Sequence, residues 1–423
     1  MSIDATLGTR AAPAEGRIER MARRGVLARL TRIGRGRLVL RDATGEFTFG
    51  TAERGEPSAT VTVHDARTYT DMTLGGAIGA AEAYIHGLWD SDDLTAAMRV
   101  LLRNRSALDG LETGAARFAA PLRRALHWLN RNTRDGSRRN IAAHYDLGND
   151  FFALWLDESM MYSAAVFESP DCTLEQASAA KNALICRKLD LRSTDRVLEI
   201  GTGWGGFALH AVRTTGCQVT TVTISKEQYE LARRRVLDAG LAERIDVRLL
   251  DYRDLDPAVH GRFDKLVSIE MIEAVGHEYQ PVFFRKCAEM LVPDGAMLLQ
   301  AITIADREYE RARRSVDFIQ RYIFPGSCLT SVRNMSAVLT RDTDLRIAHL
   351  EDIGFHYATT LAHWRERFRS RRAEVLAQGY SEEFIRMWDY YFCYCEAGFL
   401  ERAIGDVQLL LDRKSTRLNS SHT

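Results

Sequence analysis

The segment Val197-Leu-Glu-Ile-Gly-Thr-Gly-Trp-Gly-Gly206 constrains this chain more than any other. It reads as a short apolar strand running into a glycine-rich turn that opens a helix. Gly201, Gly203 and Gly205 let the backbone turn sharply and approach a ligand, and the helix N-terminus that follows offers free N–H donors. The surrounding sequence alternates in the same way. Candidate strands are Arg196–Ile200, Gln218–Thr223, Ile245–Leu250, Phe263–Ile269 and Ala296–Ile302, with helices at Phe207–Arg213, Lys226–Ala239 and Tyr279–Leu291. Apolar strand runs joined by helical crossovers predict an α/β fold with a doubly wound, mostly parallel, Rossmann-like sheet.

After Thr303 the rhythm breaks. A polar helix around Arg307–Ile319 and the stretch through Phe324-Pro-Gly326 read as an insertion over the site. The sheet is expected to resume at Arg346–Leu350 and Phe355–Thr359, and two aromatic-rich helices, Thr360–Ala377 and Ser381–Ala403, close the chain. Ahead of this domain, residues 1–15 read as a loose tail. Ile18, Met21, Val26, Leu27 and Leu30 then recur among arginines at helical spacing, which predicts a short basic amphipathic helix. Leu38–Leu40, Phe47–Phe49 and Thr60–Val63 read as short strands. Ala77–Trp89 and Leu94–Arg103 read as helices, with Ser91-Asp92-Asp93 capping the second. Asn132–Ser137 is a polar linker. The expected organisation is a smaller, mixed and mainly helical domain over 1–135, a larger domain over 136–411, and a non-native or disordered tail over 412–423.

Charge excludes one class of partner. The chain carries 57 basic and 57 acidic residues, so nothing in the net charge points to nucleic acid. The distribution is uneven, however: eight arginines between Arg17 and Arg37 face one acid, Glu19, and Arg117–Arg139 is opposed only by Asp135. Such patches are either a surface for anionic headgroups or two solvated helix faces. The seven cysteines are scattered without a CxxC pair, and Cys393-Tyr-Cys395 is a poor zinc spacing, so no metal site is expected and the thiols read as reduced and cytosolic. No secretory signal is evident, and no run reaches the ~18 apolar residues that a membrane-spanning helix needs.

The glycine spacing is G-x-G-x-G after an acid, not the G-x-G-x-x-G of a dinucleotide site, which points to S-adenosylmethionine over NAD. Glu199 is positioned to join the contacts of a methionine ammonium. At the end of the second strand, Thr223-Ile-Ser225-Lys-Glu-Gln228 can reach a ribose hydroxyl. Asp251-Tyr252 ends the third strand, where an acid and an aromatic ring can take the adenine amino group and face. Three strand ends converging on one crevice form the candidate site.

In these segments the chain resembles the cyclopropane-fatty-acyl-phospholipid synthases and their mycolic acid cyclopropane synthase relatives. The resemblance is carried in order by His144–Asn149, Met161-Tyr-Ser163, Val197–Gly206, Thr223–Gln228, Asp251-Tyr-Arg-Asp-Leu255, Glu273-Ala-Val-Gly-His277, Tyr322–Gly326 and Tyr357–Leu361. Ala83–Asp90 is similar to the helical module that precedes the catalytic domain in the phospholipid enzymes. The resemblance implies a class I methyltransferase fold and methyl transfer from S-adenosylmethionine to the cis double bond of an unsaturated phospholipid acyl chain, leaving a carbocation that closes to a cyclopropane on losing a proton. Peripheral association with the cytoplasmic face of the inner membrane and a homodimer are further implications. Cofactor contacts would fall on Tyr162, Ser163, Val197 to Gly205, Thr223 to Gln228, and Tyr252-Arg253.

The same resemblance implies a bicarbonate base held by a cysteine, a glutamate, a histidine and a tyrosine. Here the glutamate is Glu273 and the tyrosine Tyr357, but the cysteine position reads Ala164 and the histidine position Gln300. Glu273 could then act as the base itself, its pKa raised by apolar surroundings, and loss of a proton from a different carbon would give a methylene or methyl branch in place of a ring. Cys395 matches a cysteine sometimes given a catalytic role in the family; a thiol on an aromatic-rich helix is more often inert packing. Trp204 is expected to pack on the sheet. His144 and Tyr145 order a lid over the cofactor or cap a helix, and Phe384, Trp388, Tyr390, Tyr391, Phe392 and Tyr394 line an acyl tunnel or form core. A methyltransferase for another small molecule and a lipid-binding protein that holds S-adenosylmethionine without turnover are the competing readings.

Overall fold

The computed structural model describes residues 16–108 and 147–413. The tail at 1–15, the basic stretch and linker before 140, His144, Tyr145 and residues 414–423 lie outside the described residues. The chain divides into two compact units, Met1–Ala119 and Ala120–Thr423.

In the first unit, helix α1 (Arg17–Leu30) turns Ala22, Val26 and Leu30 inward at four-residue spacing, while Ile18 and Met21 stay exposed. Strand β1 (Gly36–Asp42) pairs antiparallel with β2 (Gly45–Thr51) and parallel with β3 (Ser58–Val63). Strand β4 (Trp89–Ser91) completes a sheet of order β2-β1-β3-β4. Helix α2 (Arg67–Ile85) begins ten residues before its expected start and kinks at Gly76, where φ is 62°. It stops at Ile85 and does not run on to Trp89: Gly87 turns the chain at φ 70°, and Trp89 enters the sheet with its indole N–H donated to the Ala80 carbonyl. Helix α3 (Leu94–Arg103) has the expected boundaries, capped by the Asp93 carboxylate, which accepts the Ala96 N–H at 2.8 Å. One of the eight arginines is structural. Arg23 and the Tyr69 hydroxyl both donate to Asp42 at 2.6 Å. Burial opposes the charge on Asp42, but these bonds and those from Thr44 outweigh it and bring the acid down to about 2.

The second unit opens with α4 (Asn149–Ala153) and α5 (Leu174–Lys188), then enters the sheet. Strand β5 (Arg196–Ile200), helix α6 (Gly206–Thr215), β6 (Gln218–Thr223), α7 (Lys226–Asp238), β7 (Ile245–Leu249), β8 (Phe263–Ile269), α8 (Gln280–Met290) and β9 (Leu291–Ile304) follow the expected alternation. Successive strand residues are buried on opposite faces. Leu198, Leu266 and Leu299 pack with Phe283 and Phe284 of α8, whereas Val197, Val267 and Leu298 pack with Phe207 and Val212 of α6 and Ile185 of α5. A parallel sheet covered on both faces needs this continuous apolar composition.

Beyond β9 the structure departs from the sequence expectation. The polar stretch forms α9 (Asp306–Ala312) and a separate π-helical turn, Ile319–Ile323, followed by α10 (Val332–Asp342). Strand β10 (Arg346–Asp352) lies where expected, but Phe355–Thr359 is not a strand. It belongs to α11 (Gly354–Ser370), whose buried Tyr357, Leu361, Trp364 and Phe368 follow helical period. The helix expected over Thr360–Ala377 breaks at Arg371 into α11 and α12 (Arg372–Ala377). After α13 (Glu382–Leu400) the chain returns as β11 (Ile404–Asp412), the strand unforeseen in the sequence. It inserts antiparallel between β9 and β10, giving the order β10-β11-β9-β8-β5-β6-β7. Asp412, assigned to the tail, is the last residue of this strand.

Candidate active site

The glycine turn is held open by backbone geometry. Gly201, Gly203 and Gly205 take φ of 103°, 51° and 85°, a region that residues with a Cβ rarely occupy. The N–H groups of Gly201 and Thr202 both donate to the Val222 carbonyl, which ties the turn to the end of β6. A Cβ on Gly201 would lie 3.3 Å from the Met271 side chain, and one on Gly206 would lie 2.7 Å from the Ser159 carbonyl. The turn is therefore packed between the segment after β8 on one side and the Ser159–Ser163 segment on the other, which brings Tyr162 and Ser163 to the end of β5.

Glu199 stands at the edge of this turn, 2 % exposed, with one carboxylate oxygen lacking a hydrogen-bond partner among the described residues. Burial pushes it up to about 8, against the pull of Thr221 and Lys181. An unmatched buried oxygen costs about 1–3 kcal/mol, and a ligand ammonium would relieve that cost. The chain thus fits the methionine end of S-adenosylmethionine here. Val197 is fully buried in the sheet.

The other two strand ends are ordered by their own side chains. Ser225 caps α7 by accepting the Gln228 N–H at 3.2 Å, and the Thr223 hydroxyl donates to the Gln228 side-chain carbonyl at 2.9 Å. Asp251 is engaged at both oxygens by Arg253, at 2.9 and 2.6 Å, and Tyr252 packs edge-on against Phe283. The Asp251 carboxylate, expected to face an adenine amino group, is occupied by the guanidinium of its neighbour two residues on.

Beyond β8 lies a buried carboxyl cluster. Glu273 sits in a 3-10 turn (Ile272–Ala274); one of its oxygens accepts the Ile302 N–H at 2.6 Å, and the other is buried without a partner among the described residues. Burial, then the neighbouring Glu270 charge, push it up to about 8. Glu270, three residues earlier, takes φ 48°, outside the range that non-glycine residues favour. Its carboxylate accepts the Ala164 N–H and the Gln300 amide, both at 2.8 Å, and the Tyr357 hydroxyl at 2.7 Å. Gln300 also donates to Asp406 of β11 at 3.1 Å and accepts from Gln408 at 3.0 Å. Burial raises both Glu270 and Asp406, and the neighbouring Glu270 and Glu273 raise Asp406 further. The nearby cation is Lys181 of α5, fully buried, donating to the Ser163 hydroxyl at 3.1 Å; burial lowers it to about 8.

Of the residues singled out in the sequence, the fold brings Glu273, Gln300 and Tyr357 together and seats Ser163 against Lys181. No hydrogen bond joins Cys395 to them among the described residues. Burial and Asp317 raise its thiol well above the ordinary range. Trp204 is buried, donates to the Asn149 side chain at 2.6 Å and packs on Phe152. The aromatics of α13 are largely core: Trp388, Tyr390, Tyr391 and Phe392 are buried, and Trp388 packs on Phe151 and Trp155. The Tyr391 hydroxyl lies 3.1 Å from that of Tyr162.

Sequence reasoning missed Glu270, Asp406 and Lys181. The doublet Glu270-Met-Ile-Glu273 at a strand end was a visible signal for the first. Asp406 lies on the unforeseen strand, and nothing in a helical lysine announces burial.

Comparison with known proteins places this geometry. Residues 132–409 match the family model described as mycolic acid cyclopropane synthetase. The chain is 39% identical over 381 residues to a tuberculostearic acid methyltransferase of Mycobacterium tuberculosis, spanning 86% of this chain and 84% of that protein. It is 35% identical over 369 residues to the cyclopropane-fatty-acyl-phospholipid synthase of Escherichia coli K12, spanning 86% and 90%. A solved mycolic acid cyclopropane synthase complexed with S-adenosylhomocysteine and CTAB superimposes with a TM-score of 0.61 at 31% identity, covering 65% of this chain and 98% of that one.

Proposed function

Because this chain belongs to the mycolic acid cyclopropane synthetase family, whose members are S-adenosylmethionine-dependent methyltransferases, we propose that it methylates the cis double bond of phospholipid-borne acyl chains and that Glu273 receives the departing proton. The observation that carries this reading is the buried oxygen of Glu273 that has no hydrogen-bond partner among the described residues. A carboxylate kept from water and raised to about 8 is a competent proton acceptor near neutral pH.

The methyl donor, when bound, supplies an electrophilic methyl on a sulfonium. Glu199 and the glycine turn hold its methionine end, and the ends of β6 and β7 order the side toward the ribose and adenine. The alkene π pair forms the new carbon–carbon bond as the carbon–sulfur bond breaks, and the adjacent carbon becomes cationic. If a hydride first shifts from the methylated carbon to its neighbour, proton loss from the new methyl to Glu273 gives a methylene branch on the open chain. If the methyl C–H pair closes directly onto the cation, the same proton loss gives a cyclopropane. Both endings consume only the methyl donor.

The open-chain ending is the first reading. Ala164 and Gln300 depart from the ligand set that the resemblance implies for ring formation, and the similarity to an enzyme named for a methyl-branched acid extends over 86% of the chain. The retained Glu273 and Tyr357, and the similarity to a cyclopropane-forming phospholipid enzyme, favour the ring as the second reading. Incubating the protein with labelled S-adenosylmethionine and vesicles of oleoyl phospholipid tests both. Label is expected in the lipid, and proton NMR separates vinylidene from cyclopropane hydrogens. A lipid fraction free of label would remove the assignment.

Among the described residues no helix is long and apolar enough to cross a membrane. Access to bilayer lipid is assigned to α1, where exposed Ile18 and Met21 lie among the exposed Arg17, Arg20 and Arg24.

A further inference from the structure

The resemblance implies a bicarbonate ion held by the side chains at positions 164, 273, 300 and 357, and the residues present do not fit one. Three of those four positions already converge on a carboxylate that the chain itself supplies. Ala164, whose methyl group can offer an anion nothing, gives its backbone N–H to Glu270; Gln300 gives its amide and Tyr357 its hydroxyl. The fourth position, Glu273, is itself acidic. Asp406 is fully buried against Gln300, so a free oxyanion would add a further negative charge to three buried carboxyls near one lysine.

The backbone is arranged to aim Glu270 at this seat. Its φ of 48° is uncommon for a residue with a side chain, and its N–H is anchored to the Gln300 carbonyl at 2.8 Å. A carboxylate presents the same planar O–C–O face as bicarbonate, so the donors that would recognise the ion recognise the side chain equally well.

We propose that Glu270 is a tethered substitute for bicarbonate: its carboxylate fills the anion seat, positions Tyr357 and Gln300 opposite Glu273, and makes turnover independent of dissolved bicarbonate. The turnover part of this proposal rests on the olefin-methylation reading above; the binding part does not.

The test uses Glu270→Gly, because glycine accommodates a φ of 48° without strain and vacates the seat. Carbon-13 NMR of labelled bicarbonate is expected to show no binding to the wild-type protein and saturable binding to Glu270→Gly. In buffer stripped of carbon dioxide, wild-type turnover is expected to be unchanged. Glu270→Gly is expected to fall by about 100-fold and to recover by about tenfold on adding bicarbonate or formate, in the range of a misplaced catalytic constellation. Glu270→Gln, which keeps the seat filled, should lose turnover without recovering. S-adenosylmethionine affinity reports whether each variant is folded. Bicarbonate binding to the wild-type protein, wild-type turnover that needs bicarbonate, or Glu270→Gly that neither binds nor responds to it would each overturn the proposal. If the wild-type protein methylates no olefinic lipid, the function reading fails while the binding measurement still decides the role of Glu270.

Discussion

Glu270 and Gln300 are joined twice: the Glu270 backbone N–H donates to the Gln300 carbonyl at 2.8 Å, and the Gln300 side-chain amide donates back to the Glu270 carboxylate at 2.8 Å. Through this double link the loop after β8 is locked to β9, and through Gln300 to Asp406 and Gln408 of β11. The strand pair that closes the sheet therefore also sets the position of the acidic cluster.

Replacing Glu273 by Gln removes the proposed proton acceptor and keeps the volume and the bond from Ile302. Turnover is expected to fall by about 100-fold or more, with S-adenosylmethionine affinity unchanged by calorimetry. Wild-type turnover should rise with pH toward a plateau above about 8, where Glu273 is ionised. Full turnover in the variant would take Glu273 out of the mechanism.

The raised acids also set a pH dependence of stability in the ligand-free protein. Glu199 and Glu273 ionise near 4.5 when unfolded and near 8 when folded, so their contribution is complete below 4.5 and is lost as pH rises through 8. Lys181 has the opposite history, from 10.5 unfolded to about 8 folded, so its contribution is complete above 10.5 and is lost as pH falls through 8. Together these groups place a minimum of thermal stability near pH 8. Melting curves from pH 5 to 10 should show it, and Glu273→Gln should flatten the acidic side.

Tyr357→Phe deletes the hydroxyl that satisfies the second oxygen of Glu270 and retains the stacking on Phe399 at 4.6 Å. A buried carboxylate oxygen left without its donor is expected to cost about 1–3 kcal/mol, read by chemical denaturation. Turnover should fall with it; unaltered stability and turnover would show that the hydroxyl holds nothing in place.

The basic face of α1 predicts binding to vesicles rich in anionic lipid, weakening as salt is raised. Changing Arg20 and Arg24 to Gln should weaken co-sedimentation, and changing Met21 to Ser should weaken it further at high salt. Arg23 is a poor choice for this test, because it holds Asp42 and its loss would disturb the fold. Binding that ignores both salt and charge would remove the docking role from this helix.

The strand and helix alternation from Arg196 to Ile302 and the glycine turn were legible in the residues alone, because local periodicity and a backbone that demands glycine are properties of short segments; Glu273, Gln300 and Tyr357 were singled out only through the resemblance to the cyclopropane synthases. Tertiary structure decided the rest. Phe355–Thr359 has strand-like composition but joins a helix, since burying Tyr357, Leu361, Trp364 and Phe368 on one face outweighs local preference. Strand β11 lies beyond several helices, one hundred residues or more after its partners in β9, and that pairing carries Asp406 to Gln300. Glu270 takes its seat because groups at 164, 300 and 357 meet there. Desolvation and charge act through space, so no spacing along the chain could have announced them.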